Sequence, residues 1–238
     1  MSRSGPMRDA FIPLRPPPDR LTPPRALLFD WDNTLVDTWP TIHASLADLF
    51  TAMGRTPWSL EEVKTQVRHS LRDSFPVLFG ARWEEARDLY YAAFERRHLE
   101  ALVPLAGAET LVSDFARAGF ALGVVSNKTG RYLRREADHL GWAPHFSALV
   151  GAGDAARDKP AVEAAQHALA LMGAPPEPDP ASIWFVGDSN VDMEIARAAG
   201  FTAVLVRPDA GPAGEFDAHP PHLHLPDCAA LQQLVMRL

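Results

Sequence analysis

The chain has 238 residues, of which 47% are hydrophobic and 22% are charged, a composition typical of a globular protein with a sizeable core. The formal net charge of -7 argues against nucleic acid or an anionic membrane surface as the main partner. A single cysteine, Cys228, excludes an intrachain disulfide and predicts a cytoplasmic protein. No apolar run reaches membrane-spanning length, so we expect no membrane partner.

The N-terminal segment is rich in proline. Residues 1–24 contain seven prolines and few apolar residues, so we expect a disordered or extended arm. The ordered fold is expected to begin near Arg25.

The first predicted strand is the apolar run that begins at Leu27 and ends in two carboxylates, Asp30 and Asp32. In an extended backbone, residues two apart point the same way, so these side chains share a face. Two carboxylates at such a short distance favour either a bound cation or a retained proton. The stretch is therefore the first candidate for a catalytic site.

Residues 40–103 interrupt the alternation of strands and helices. Their apolar residues recur at helical spacing, which predicts an all-helical insertion. Ser59 followed three residues later by Glu62 is a capping-box pattern and predicts the start of one of these helices.

From Leu105 onward, predicted strands and helices alternate again. This pattern is typical of an α/β fold, a Rossmann-like parallel sheet sandwiched by helices. In such sheets ligands bind beyond the carboxyl ends of the strands, so Asp30, Ser126 and Asp188 are expected to converge there. Asp192 lies four residues after Asp188, and a helix starting between them would turn both toward one point. Oxygen ligands without histidine or cysteine favour Mg²⁺ over zinc.

The last predicted core strand covers residues 203–206. Beyond it, His219, His222 and His224 lie among prolines without cysteine or an acidic cluster nearby. We expect a loop with solvated histidines there in preference to a metal site.

Four motifs follow one another along the chain: D-x-D-x-T from Asp30 to Thr34, the strand-ending Ser126, Lys159 in an Asp-Lys-Pro run, and G-D-x-x-x-D from Gly187 to Asp192. Their types and their order resemble the haloacid dehalogenase-like (HAD) hydrolase superfamily. In that superfamily a helical cap is inserted between the first strand and the second motif.

The resemblance implies a division of the chain into an arm, a core and a cap. The arm covers residues 1–24, the Rossmann-like core covers 25–39 and 104–238, and the helical cap covers 40–103. The core would carry the chemistry, and the cap would close over it.

The resemblance also implies a covalent phosphatase mechanism. Asp30 would be the nucleophile that forms an aspartyl-phosphate, and Asp32 would be the general acid and then the general base. Lys159 would neutralise charge on the transferring phosphoryl group. Phosphate oxygens would be bound by Ser126, the backbone amide of Asn127 and Lys159. Mg²⁺ would be bound by the carboxylates of Asp30 and Asp188, the backbone carbonyl of Asp32 and, through water, Asp192.

Two residues depart from the usual family pattern. Asn33 replaces the glycine that follows the second aspartate, and asparagine tolerates the left-handed backbone of a tight turn better than most residues. Trp31 is bulky for its position and is expected to pack away from the site. The acid at Asp32 separates phosphatases from dehalogenases and phosphonatases, because an alkoxide leaving group needs a proton. The chain looks most like the relatives of phosphoglycolate phosphatase.

Substrate choice would depend on the cap, where residues 68–73 gather polar and basic side chains. This stretch is either a solvated turn or a specificity loop, in which Arg68 or Arg72 would pair with a second anionic group of the substrate. In the second case we expect a small, anionic phosphorylated metabolite. Two other functions stay open: a phosphosugar mutase of the same superfamily, and a non-catalytic protein that binds a partner.

Overall fold

The computed structural model describes residues 21–67, 70–173 and 179–238. The strands in this part of the chain are β1 (Ala26–Phe29), β2 (Val36–Asp37), β3 (Val103–Pro104), β4 (Ala121–Thr129), β5 (Ala148–Ala152), β6 (Ile183–Gly187), β7 (Thr202–Val206) and β8 (Leu223–Leu225). The α-helices are α1 (Trp39–Ala52), α2 (Leu60–Gln66), α3 (Leu71–Phe79), α4 (Trp83–Glu95), α5 (Ala108–Arg117), α6 (Gly130–His139), α7 (Val162–Leu171), α8 (Asn190–Ala198) and α9 (Cys228–Val235).

A six-stranded parallel sheet in the order β5-β4-β1-β6-β7-β8 organises the core, and both of its faces are buried. Leu27 and Phe29 of β1 pack in one apolar cluster with side chains of α5, α6 and α9. Leu28 points the other way, into a second cluster with side chains of α7 and α8. A strand covered on both faces needs apolar residues at consecutive positions, which explains the uninterrupted run in β1. The predicted Rossmann-like α/β sandwich is confirmed.

Helices α1 to α4 lie between β2 and β3. These two short strands pair antiparallel, with Val36 opposite Pro104, so the chain leaves and re-enters the core at one place. The four helices bury an apolar cluster of their own, which includes Leu49. The expected capping box forms at α2, where the Glu62 carboxylate accepts the Ser59 N–H at 2.7 Å and the Ser59 hydroxyl accepts the Glu62 N–H at 3.3 Å. The insertion is helical as predicted, and its role as a separate cap domain stays a prediction.

The C-terminal segment corrects the sequence prediction. Strand β8 pairs parallel with β7, so residues 203–206 are not the last strand. His222 Nδ1 accepts a hydrogen bond from the Ala203 N–H at 2.8 Å, and His224 Nε2 donates to the Arg207 carbonyl at 2.9 Å. The expected loop with solvated histidines is wrong at these positions, because a three-residue strand is too short to give a periodic signal.

Most of the predicted N-terminal arm, residues 1–20, lies outside the described part of the chain. Of the remainder, Thr22 accepts a hydrogen bond through its carbonyl from Trp184 Nε1 at 3.1 Å. Among the described residues, no helix combines the length and the apolar character needed to cross a bilayer.

Candidate active site

Three neighbouring strands deliver polar side chains to one edge of the sheet. Strands β4, β1 and β6 are adjacent, and Phe29, the last residue of β1, pairs with Val124 on one side and Val186 on the other. This register places Asp30 between the carboxyl-terminal parts of β4 and β6. The expected convergence at the carboxyl edge is therefore present.

An acidic cluster forms at this edge. Asp30, Asp188 and Asp192 each place a carboxylate oxygen within 4.8 Å of the others. Lys159 reaches into the cluster, with Nζ 2.6 Å from Asp30 Oδ1 and 2.7 Å from Asp192 Oδ1. The lysine is only 3% exposed, so it is a buried member of the site and not a solvated lysine at the start of a helix.

The crowded carboxylates have displaced pKa values. Burial raises the pKa of Asp30 to about 7; Lys159 opposes this shift, and Asp192 and Asp32 add to it. Burial also raises the pKa of Asp188 well above its usual value, with further contributions from Asp192 and Asp30. A divalent cation would relieve both effects, because it supplies positive charge where solvent cannot. The cluster offers only carboxylate oxygens, a donor set that fits Mg²⁺.

Asp192 is oriented by the start of α8. Its Oδ2 accepts hydrogen bonds from the Ser189 backbone N–H at 3.1 Å and from the Ser189 hydroxyl at 2.7 Å, while Oδ1 faces Lys159. Gly187 makes this approach possible, since a Cβ there would lie 2.3 Å from the Cβ of Asp192. Both carboxylate oxygens of Asp192 thus have partners inside the protein.

The structure also places Thr34, the threonine of the first motif, against the acidic cluster. Its Oγ1 lies 3.3 Å from Asp30 Oδ2 and 3.5 Å from Asp188 Oδ1. The D-x-D-x-T pattern includes this threonine, but the pattern alone does not predict its role. Its contacts make it a positioning residue for the two carboxylates.

The residues predicted to bind phosphate line a cavity above the acidic cluster. The Ser126 hydroxyl accepts the Lys128 backbone N–H at 3.1 Å, and Asn127 Nδ2 donates to the Lys159 carbonyl at 3.2 Å. The second contact ties the Ser126 strand to the lysine loop. All three predicted phosphate contacts, with Lys159 the third, therefore lie together on the cavity wall.

A second buried lysine, Lys128, lies at the site and was not predicted from the sequence. Its Nζ lies 2.6 Å from Asp32 Oδ1 and also pairs with Glu136. Burial lowers the pKa of Lys128, but Asp32 and Glu136 outweigh burial and the net shift is upward, so the lysine stays charged. The available signal was the spacing: Lys128 follows Ser126 by two residues in a strand and so shares its face.

Glu136 anchors this second lysine. Its carboxylate accepts hydrogen bonds from Trp31 Nε1 at 2.8 Å and contacts His98 Nδ1 at 3.0 Å. Burial raises the pKa of Glu136, but Lys128 and these hydrogen bonds bring it below the usual value.

Trp31 is fully buried and packs edge-on against Trp142, as expected for a residue without a catalytic role. The expectation for Asn33 is also confirmed, since its φ is 63°.

Of the two arginines predicted to contact substrate, only Arg72 lies within the described residues. Arg68 lies outside the described residues. Arg72 does not line the cavity; its guanidinium lies 2.9 Å from Asp158 Oδ2, and the Asp158 side chain is only 1% exposed. Asp158 precedes Lys159, so Arg72 connects α3 to the loop that carries the lysine.

This contact changes the expected effect of Arg72→Ala. The buried carboxylate of Asp158 would lose its cation, so we expect the free energy of unfolding to fall by about 1–3 kcal/mol. Any loss of kcat/KM should be the same for anionic and neutral esters, because the effect would act through the Lys159 loop. Denaturant unfolding and kinetics on two such esters measure both quantities. Arg82→Ala is the matched control, since Arg82 pairs with Glu85 at the surface; a loss confined to anionic esters would instead place Arg72 in substrate binding.

The cavity has a volume of about 170 Å³ and lies between the sheet edge and helices α1 to α4. Its lower wall is polar and carries Asp30, Asp188 and both buried lysines. Its upper wall is formed by side chains of the insertion. A phosphate placed at the lower wall would therefore direct the rest of a substrate toward the insertion.

Known proteins resemble this chain in sequence and in fold. The sequence profile of haloacid dehalogenase-like hydrolases matches residues 27–206. Over 188 residues the chain is 29% identical to the phosphoglycolate phosphatase of Xylella fastidiosa (strain 9a5c), and the match covers 76% of this chain and 80% of the relative. Over 188 residues it is 30% identical to the N-acetylmuramic acid 6-phosphate phosphatase of Pseudomonas aeruginosa, and the match covers 77% of this chain and 81% of the relative. Its fold is similar to that of a haloacid dehalogenase-like family hydrolase from Streptococcus pneumoniae, with a TM-score of 0.75 and 19% identity over 90% of this chain and 98% of that one.

Proposed function

Because this chain belongs to the haloacid dehalogenase-like hydrolases and is a phosphoric monoester hydrolase, we propose that it uses Mg²⁺ and a covalent aspartyl-phosphate on Asp30 to hydrolyse a small phosphorylated metabolite. The observation that carries the proposal is the buried cluster in which Lys159 lies between Asp30 and Asp192, with Asp188 alongside. Four charged groups so arranged at a ligand-binding edge suit a dianionic phosphoryl group together with a cation.

The first chemical step begins with the phosphate held by the Ser126 hydroxyl, the Asn127 amide and Lys159. A carboxylate oxygen of Asp30 attacks phosphorus, and the bond from phosphorus to the alcohol oxygen breaks. Asp32 gives its proton to the departing alkoxide, which leaves as the free alcohol. Mg²⁺ at the carboxylate cluster would lower the energy of the developing negative charge.

The second step returns the enzyme to its starting state. Asp32, now ionised, takes a proton from a water molecule as that water attacks phosphorus. The bond between phosphorus and the Asp30 oxygen breaks, inorganic phosphate leaves, and Asp32 holds the proton again. Dividing the hydrolysis in this way replaces one difficult step by two easier ones.

Release of inorganic phosphate and its dependence on metal test the proposal. We expect hydrolysis of a phosphomonoester with Mg²⁺, loss of this activity after exhaustive chelation, and recovery when Mg²⁺ is added back. Asp188→Asn should raise the Mg²⁺ concentration needed for half-maximal rate, because one anionic ligand becomes neutral. Rates unaffected by chelation would contradict the proposed metal site.

The mutase alternative is tested in the same assay. A mutase would return the phosphoryl group from Asp30 to a sugar, so it would need a bisphosphate activator and would release little free phosphate. Steady phosphate release from a monophosphate alone would therefore exclude it. The relatives named above are phosphatases of two different esters, so family membership leaves the alcohol part of the substrate open.

A further inference from the structure

We propose that the upper wall of the cavity selects an uncharged, ring-bearing alcohol, so that the preferred substrate is a phosphate ester of such an alcohol and not an anionic ester such as phosphoglycolate. This inference rests on the proposed phosphatase function. It concerns only the part of the substrate that leaves as the alcohol.

The first observation is the composition of the upper wall. Side chains from three of the inserted helices and a connecting loop meet the cavity with apolar or aromatic groups: Ile42, Leu46, Trp58, Phe75, Tyr90 and Phe94. Several of these rings contact one another, Phe75 edge-on to Tyr90 and Tyr90 stacked on Phe94. Packed aromatic walls bind ring-shaped groups through apolar burial and edge-to-face or stacked contacts.

The second observation is the charge available in the cavity. Among the described residues, the cationic side chains on its wall are Lys128 and Lys159. Each already pairs with two carboxylates, Lys128 with Asp32 and Glu136, and Lys159 with Asp30 and Asp192. A carboxylate on the alcohol part of a substrate would meet no unpaired cation among the described residues of the upper wall, and burying an unpaired charge is costly. The wall thus disfavours glycolate and favours a neutral group.

The third observation is size. The cavity volume of about 170 Å³ is similar to the roughly 150 Å³ of an apolar cavity that holds benzene. Because the phosphate and the alcohol part share this volume, the cavity limits the substrate to a small molecule, with its phosphate at the polar wall and at most a single ring toward the insertion.

The test compares kcat/KM for benzyl phosphate, ethyl phosphate and phosphoglycolate in the presence of Mg²⁺. All three release primary alcohols, so differences report binding of the alcohol part more than intrinsic reactivity. We expect benzyl phosphate to exceed ethyl phosphate by about 10–100-fold, the range for burying one aromatic ring. Phosphoglycolate should be no better than ethyl phosphate.

Two cavity variants probe the same wall. Phe75→Leu should lower kcat/KM for benzyl phosphate several-fold and leave that for ethyl phosphate nearly unchanged. Leu46→Lys should shift the preference toward phosphoglycolate by adding a cation. Val77→Ala is the matched control, because Val77 is on the same helix as Phe75 but is 85% exposed.

Phosphoglycolate hydrolysis that equals or exceeds benzyl phosphate hydrolysis would overturn the inference and leave the phosphatase function intact. If Arg68→Ala then removed that phosphoglycolate activity alone, the missing cation would be identified as Arg68. If the protein hydrolyses none of the three esters and also fails to hydrolyse an activated aryl phosphate, the phosphatase function is overturned and the inference with it.

Discussion

Asp30→Asn is expected to abolish turnover and, in the absence of metal, to stabilise the fold. An amide is a poor nucleophile, so the covalent step is lost and the rate should fall on the order of 10⁶-fold, the scale for removing a nucleophile that acts with its catalytic partners. The measurement is initial phosphate release at saturating substrate. Trapping with a fluoroberyllate should mark Asp30 in the unsubstituted protein and leave the variant unlabelled.

The stability gain follows from the displaced pKa of Asp30, which is about 7 in the folded protein against 3.8 ordinarily. As pH rises from about 4 to 7, the unfolded chain loses this proton while the folded protein keeps it, so the folded state loses stability across that window. The neutral amide of the variant avoids this loss, which amounts to on the order of 2–4 kcal/mol above pH 7. The difference between variant and parent should vanish near pH 4.

Thermal unfolding of the metal-free proteins at pH 4, 6 and 8 measures this effect. Asp48→Asn is the matched control, since Asp48 pairs with Arg97 at the surface and lies outside the cavity. Full turnover by Asp30→Asn would contradict its role as nucleophile. If the variant unfolds at a lower temperature than the parent at pH 8, the claim that ionised Asp30 destabilises the metal-free fold is contradicted.

The sequence predicted the convergence of the residues that follow the strands because this convergence depends on backbone topology. Strands that alternate with helices form a parallel sheet, and all carboxyl ends of a parallel sheet lie at one edge. Asp30, Ser126 and Asp188 follow three apolar runs, so their convergence required no knowledge of side-chain packing. Asn33 was predictable for the same kind of reason, since its left-handed φ is a local property of the residue type.

The side-chain partners could not be predicted in this way. Arg72 pairs with Asp158 across the boundary between the insertion and the core, and Lys128 pairs with Glu136 inside the core; both contacts exist only after side chains have packed. A basic residue between two helical patterns is compatible with a substrate contact or with a structural ion pair, and the sequence carries no signal that separates them. Strand β8 was missed for a different reason, because three residues among prolines give no periodicity.

Lys128 changes the environment in which Asp32 works. Its Nζ lies 2.6 Å from Asp32 Oδ1 and is anchored from below by Glu136. The Asp32 carboxyl is thereby held at one oxygen, and the residue lines the same cavity as Asp30. In the proposed mechanism, protonation of the alkoxide requires a positioned acid, and this contact would position Asp32 for that role.

Asp32→Asn is therefore expected to slow hydrolysis of alkyl phosphates by roughly 10²–10⁴-fold, the usual worth of general acid-base help. An activated aryl phosphate such as 4-nitrophenyl phosphate should lose much less in its first step, because its leaving group departs without a proton. The measurement is the ratio of kcat/KM values for the two esters, since kcat/KM reports steps up to the first irreversible one. Asp37→Asn is the matched control: the Asp37 carboxylate accepts the Trp39 N–H at 3.3 Å, and the residue does not line the cavity. Equal losses on both esters would contradict protonation of the leaving group by Asp32 and would make its carboxylate a positioning partner of Lys128.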